Sequence, residues 1–173
     1  MPTYTLISSN VLTSSAASVT FSAIPATFTD LEVRISARGS DASLSIETQM
    51  LINSDTSANY SNTRIIGNGA TASSSQASTA NLNNFVNLRR TPGSTATSNT
   101  FSNTSVYIPN YTSTTTKQIS VHDVMETNGT TAFTGAVAQL YLGTSAISNL
   151  QILLGTGNLV SGSSFYLYGI SNS

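Results

Sequence analysis

The chain has no cysteine and no tryptophan, one histidine, and few charges: six Lys+Arg and seven Asp+Glu in 173 residues, or 8%, for a formal net charge of −1. Each shortage excludes a class. Without cysteine there is no disulfide framework, no thiolate metal site and no cysteine nucleophile. A lone histidine cannot build a multi-histidine zinc or iron centre, so no metal is expected. Six scattered cations give no electrostatic footprint for DNA or RNA. No apolar run approaches the roughly 20 residues of a membrane-spanning helix, so neither nucleic acid nor membrane is an expected partner. The opening Met1-Pro2-Thr3-Tyr4 has no basic or apolar stretch, and no secretory signal is expected.

In place of charge the chain carries hydroxyls, with 30 Ser and 26 Thr. Ser/Thr-rich chains often stay unfolded, but disorder normally comes with high net charge, and here the apolar residues are patterned. The length suits a single domain over 1–173. A neutral surface favours association over mutual repulsion, so the chain is expected to sit in an assembly.

The pattern is period two. Leu31, Val33, Ile35 and Ala37 alternate with Glu32, Arg34, Ser36 and Arg38. Leu44, Ile46, Thr48, Met50 and Ile52 alternate with Ser45, Glu47, Gln49 and Leu51. Successive strand side chains point to opposite faces, so each segment has one side to bury and one to wet. Further strands are expected at 4–8, 18–24, 63–66, 81–88, 105–109, 117–125, 132–142, 150–154 and 165–170, which are rich in Val, Ile, Thr, Tyr and Phe. Segment 132–143 also competes as a helix, but Thr134, Gly135 and Val137 weaken one there. Turn residues separate the segments, and Asn128-Gly129 reads as a tight hairpin. Residues 69–80 and 91–100 hold almost no bulky apolar side chain and read as long Ser/Thr-rich surface loops. Many short strands with punctuating turns predict an all-β fold, an antiparallel β-sandwich of jelly-roll-like architecture.

Several constellations invite a chemical reading. Ser120 and His122 share a strand face beside Asp123, but same-face neighbours stand about 7 Å apart, beyond a nucleophile–base hydrogen bond. Asn53, Asp55, Ser57 and Asn59 mimic the start of a calcium loop, yet Ala58 and Arg64 stand where that loop needs Gly and Glu. Glu32 and Glu47, read as lying on the wet faces of neighbouring strands, fit cross-strand ion pairing with Arg34 and Arg38 better than paired-acid catalysis. No catalytic, cofactor or metal residues are assigned. The candidate interface residues are the basic doublet Arg89 and Arg90, with Tyr107 and Tyr111 of the Tyr-Ile-Pro-Asn-Tyr run. Arg and Tyr are the side chains that most often anchor protein interfaces.

Five strings taken in order add a resemblance: Tyr4-Thr5-Leu6-Ile7-Ser8-Ser9; Val19-Thr20-Phe21-Ser22-Ala23-Ile24-Pro25-Ala26-Thr27-Phe28-Thr29-Asp30-Leu31; Arg34-Ile35-Ser36-Ala37-Arg38; Tyr107-Ile108-Pro109-Asn110-Tyr111; and Phe165-Tyr166-Leu167-Tyr168-Gly169-Ile170. Together they resemble the small β-rich structural proteins of tailed bacteriophages, which include capsid decoration (cement) proteins and domains of tail fibres. The resemblance implies a virion component without enzymatic activity or cofactor. The chain shows no coiled-coil stalk and no fibrous repeat, which favours the decoration reading. A decoration protein would be made in the host cytoplasm and bound to the capsid exterior, as a homotrimer between subunits of the major capsid protein. The alternative is a tail or tail-fibre protein that binds host surface glycan.

Overall fold

One-sided strands can bury their apolar faces by stacking two sheets, and this chain does so. The computed structural model describes residues 1–77, 83–129 and 131–172. Among them lie twelve strands: β1 (Thr3–Val11), β2 (Ser18–Phe21), β3 (Asp30–Ser36), β4 (Ser45–Ile52), β5 (Tyr60–Gly67), β6 (Ala72–Ala77), β7 (Val86–Pro92), β8 (Asn103–Ile108), β9 (Lys117–Met125), β10 (Phe133–Tyr141), β11 (Leu150–Leu154) and β12 (Ser164–Ser171). They form an eight-stranded sheet in the order β1-β12-β3-β8-β9-β10-β5-β6 and a four-stranded sheet in the order β2-β11-β4-β7. Every pairing is antiparallel. The chain passes repeatedly from one sheet to the other, as in a jelly roll. The fold is an all-β antiparallel sandwich.

The predicted alternation is realised in β4 and β9 but not in full: Leu44 is exposed, and β3 is buried on both faces from Asp30 to Val33, so Glu32, expected on a wet face, is buried. In β4, Ile46, Thr48, Met50 and Ile52 are buried while Ser45, Glu47, Gln49 and Leu51 are half-buried. In β9, Lys117, Ile119, Val121, Asp123 and Met125 are buried and their neighbours exposed. One core joins Leu31, Val33, Ile108 and Leu167 of the large sheet to Met50, Leu88, Leu150 and Ile152 of the small one. Within segment 132–143, Phe133–Tyr141 is a strand, paired with β9 on one side and β5 on the other.

The small sheet ends at β7, which packs against β9 and β10. A buried edge strand has backbone groups to satisfy. Gln139 of β10 meets them from the opposite sheet. Its Oε1 accepts from Asn87 N at 3.0 Å, and its Nε2 donates to Asn87 O at 2.7 Å. β5 and β6 continue past this edge, so part of the large sheet's inner side is left open beside β7.

The structure differs from the sequence reading at several places. Within 69–80, Ala72–Ala77 is an edge strand paired with β5, and residues 78–80 lie outside the described residues. A Ser/Ala strand with five exposed residues and one half-buried carries no apolar alternation, which hid it. The strand expected at 81–88 begins only at Val86 and continues to Pro92, while 81–82 lie outside the described residues. The β9–β10 connection spans 126–132 and is longer than a tight turn, with Thr127 Oγ1 donating to Thr131 O at 2.8 Å; Thr130 lies outside the described residues. The rest of the 91–100 loop is held by Arg38. Its guanidinium donates to the carbonyls of Thr97 at 2.8 Å, Thr100 at 3.0 Å, Ala96 at 2.9 Å and Ser94 at 3.3 Å.

Candidate functional site

β1 is the outermost strand of the large sheet and pairs only with β12, which leaves its other edge open among the described residues. All nine of its residues are uncharged, and all but Ile7 are exposed. Tyr4, Leu6 and Val11 are 57%, 51% and 55% accessible. Natural edge strands are usually blunted with charge or proline, because bare N–H and C=O groups recruit another strand. β1 has no charged residue within it, although a bulge falls between Leu6 and Ser8.

The outer face beside β1 is rich in tyrosine. Leu6 is registered with Tyr168, Tyr168 with Glu32, and Glu32 with Tyr107. In the next row Tyr166 is registered with Arg34. Glu32 and Arg34 form an ion pair at 2.6 Å along their own strand. Tyr107 donates to Asp30 Oδ2 at 2.8 Å. That hydrogen bond to a carboxylate, aided by burial, holds the phenol protonated and pushes its pKa up to about 12. Beyond Tyr107 the face passes over Ser120, Ala138 and Thr63, which are small and uncharged. The open edge is uncharged, and the face beside it carries the Glu32–Arg34 ion pair among tyrosines and small residues.

The four predicted interface residues are not brought together. Arg90 is half-buried at the small sheet's edge, opposite Glu47. It lines an open cleft of about 450 Å³ with Asp41, Ser45, Glu47, Gln49 and Thr156. Tyr107 lies on the outer face of the other sheet and is exposed. The other two are corrections. Tyr111 is fully buried in the core, with its hydroxyl donating to Pro25 O and accepting from Phe28 N. Arg89 is only 5% exposed. It has a left-handed backbone, φ 75°, at the register shift that separates β7 from β4, and this bulge turns its side chain inward. Arg89 passes under Gly135, where a side chain would come within 3.7 Å of its Nε. Burial lowers the Arg89 pKa, as do the charges of Arg64 and Arg90, against Asp123 and Glu47.

Asp123 anchors the same bulge. Its carboxylate accepts from Thr104 Oγ1 at 2.8 Å and from Arg90 N at 3.3 Å. Burial outweighs these bonds and nearby charges and raises its pKa to about 6. Asp123 is buried while Ser120 and His122 are exposed on the opposite face of β9, so the strand's pleat keeps Asp123 from orienting His122. Asp55 is occupied as an acceptor, from Ser57 N and Asn59 Nδ2 at 2.8 Å each and from Tyr141 Oη at 3.1 Å. Asn53 Oδ1 accepts from Ser148 N at 2.9 Å. The residues that mimic a calcium loop therefore tie β4 to the core-facing tyrosines and to the loop before β11. Glu32 and Glu47 lie in different sheets, which corrects the expectation of neighbouring strands. The chain leaves β3 by crossing to the other layer, a move that alternation in the sequence does not record. Glu32 pairs with Arg34, whereas Arg38 is committed to the 94–100 loop.

No protein-family model matches the chain, and no curated protein matches it in sequence. Among solved structures it is similar to an exo-inulinase from Aspergillus awamori, at 14% identity and a TM-score of 0.45, over 96% of this chain and 29% of the inulinase. The chain thus spans less than a third of that enzyme. It is also similar to galectin LEC-6 of Caenorhabditis elegans, at 10% identity and a TM-score of 0.33, over 95% of this chain and 96% of the galectin. At those identities and scores neither neighbour informs the chemistry of this chain.

Proposed function

We propose that the protein is a virion structural protein of a tailed bacteriophage, a capsid decoration protein that binds as a trimer between major capsid subunits and strengthens the assembled shell without catalysis. The open, uncharged edge of β1, with Tyr4, Leu6 and Val11 exposed along it, carries the reading. A partner strand laid against β1 would complete its hydrogen-bond ladder, and Tyr107, Tyr166 and Tyr168 on the same sheet face offer amphipathic contacts around the internally paired Glu32 and Arg34. The resemblance of the Tyr4–Ser9 and Phe165–Ile170 strings to phage structural proteins falls on the two strands that form this edge.

The mechanism is linkage. A protein that binds the assembled lattice and not its free subunits stabilises the lattice by RT ln(1 + [L]/Kd), about 4 kcal/mol per site at a thousandfold excess over Kd. Attachment through backbone pairing and tyrosine contacts depends little on ionic strength. The test is co-sedimentation of the purified protein with shells of the major capsid protein, from low to high salt. The wild type is expected to stay bound throughout, and a Tyr4→Lys/Leu6→Lys variant to lose attachment at least tenfold while remaining folded. Binding that collapses with salt, or that ignores the two lysines, contradicts the proposal.

A further inference from the structure

Where β5 and β6 run past the small sheet's edge, a second cleft of about 260 Å³ opens, lined by Glu47, Asn62, Arg64, Asn83, Phe85 and Asn87 among the described residues. Its volume is just below the range of about 300–1,000 Å³ that holds drug-sized ligands, and suits one small ring.

Hydrogen bonding in the cleft is unbalanced toward donors. Asn62 is 4% exposed, and its Nδ2 is buried with no hydrogen-bond partner among the described residues. Buried amides are nearly always paired, so an orphan lining a cavity points to a missing acceptor. Arg64 uses Nε to bond Ser75 Oγ at 2.6 Å, which holds the guanidinium in place across β5 and β6 and leaves its two Nη groups for other acceptors. The acceptors are better supplied. Glu47 Oε1 takes Asn87 Nδ2 at 2.9 Å and Oε2 takes Gln49 Nε2 at 3.4 Å, and Asn87 Oδ1 takes Arg89 N at 2.9 Å. Phe85 and Ala77 add an apolar wall to a mainly polar lining.

We propose that this cleft binds an acidic saccharide, a pyranose ring bearing a carboxylate, with the carboxylate on Arg64 Nη and Asn62 Nδ2. A guanidinium is the side chain best shaped for a carboxylate, which it meets with two parallel bonds. Ring hydroxyls, which both donate and accept, match Glu47 and the amides of Asn83 and Asn87. The carbon face of a pyranose is apolar and matches Phe85. The site lies on a different sheet edge from β1, so ligand binding here and attachment through β1 are separate properties that can fail independently.

The experiment is a titration of the 15N-labelled protein with D-galacturonate, D-galactose and sodium sulfate, following the Asn62 side-chain amide signals. Galacturonate is expected to shift those signals with saturation, and galactose and sulfate to bind at least tenfold more weakly. Arg64→Met, a change at a half-buried residue, is expected to weaken galacturonate at least tenfold with an unchanged fold by circular dichroism. Asn62→Leu is expected to abolish binding yet leave the protein no less resistant to denaturant, since it removes an unsatisfied amide. Sulfate binding as tightly as galacturonate would reduce the cleft to a simple oxyanion site and overturn the proposal. Equal binding of galactose, no saturable shift, or full affinity in Arg64→Met would overturn it as well.

Discussion

Gln139 acts on Asn87 as a neighbouring strand would, accepting from its backbone N–H at 3.0 Å and donating to its C=O at 2.7 Å. Both residues are buried. One amide side chain thus closes the inner edge of the small sheet against the large one. Gln139→Leu is expected to strand both backbone groups of Asn87 and to cost about 3 kcal/mol, from the roughly 1–3 kcal/mol attached to each buried group left unpaired. Gln139→Glu keeps the acceptor and loses the donor, so its loss should be large at neutral pH and smaller in acid, where a protonated carboxyl donates again. Equilibrium unfolding in urea measures both.

Arg38 predicts a local effect. Four carbonyls between Ser94 and Thr100 converge on its two Nη groups. Arg38→Ala is expected to raise hydrogen exchange and proteolysis within 94–100 by tenfold or more while the core strands stay protected. Arg38→Lys should not restore protection, because a single ammonium cannot reproduce the planar fork.

Asp123 makes stability depend on pH. Its folded pKa is raised from 3.8 to about 6, first by burial, so the folded state holds this proton more tightly than the unfolded chain does. The stabilisation is present below about pH 4 and is lost as pH rises through about 6, with a ceiling of about 3 kcal/mol at 1.36 kcal/mol per pKa unit. Asp123→Asn is expected to remove this dependence and to gain on the wild type above about pH 6. Urea midpoints on either side of that window decide it.

Gly169 faces the ring of Phe28, and a Cβ there would meet ring carbons at 2.3 Å. Gly169→Ala is expected to cost about 1–3 kcal/mol through overpacking. Gly169→Ala/Phe28→Leu should recover part of it, and a double-mutant cycle gives the coupling directly.

How far the fold and site were legible depends on where the deciding physics lies. β4 and β9 were legible because one-sided burial writes itself as alternation, down to Thr48 on the buried face of β4, whereas the burial of Glu32 in β3 and of Asp123 in β9 was not, because a charged residue in the pattern reads as wet. β6 was not, because a Ser/Ala edge strand has no apolar face to display. Tyr107 and Tyr111 sit four apart in one run, yet one is exposed and the other fills the core. The separation follows from the end of β8 at Ile108, after which the chain folds back toward Pro25. The direction of Arg89 is set by a left-handed bulge that tertiary pairing imposes. The donors of Asn62 and Arg64 are distinctive only once β5 is seen to overhang β7. The scarcity of charge was legible from composition, whereas the placing of the uncharged β1 at an open edge required the strand order.

The most direct test of the shell assignment is the copy number of this chain in purified virions, measured by quantitative mass spectrometry against the major capsid protein. A decoration protein is predicted to be present in numbers comparable with the major capsid protein and to leave the particle together with the shell. A count of only a few copies per particle, co-purifying with tails, would contradict the account.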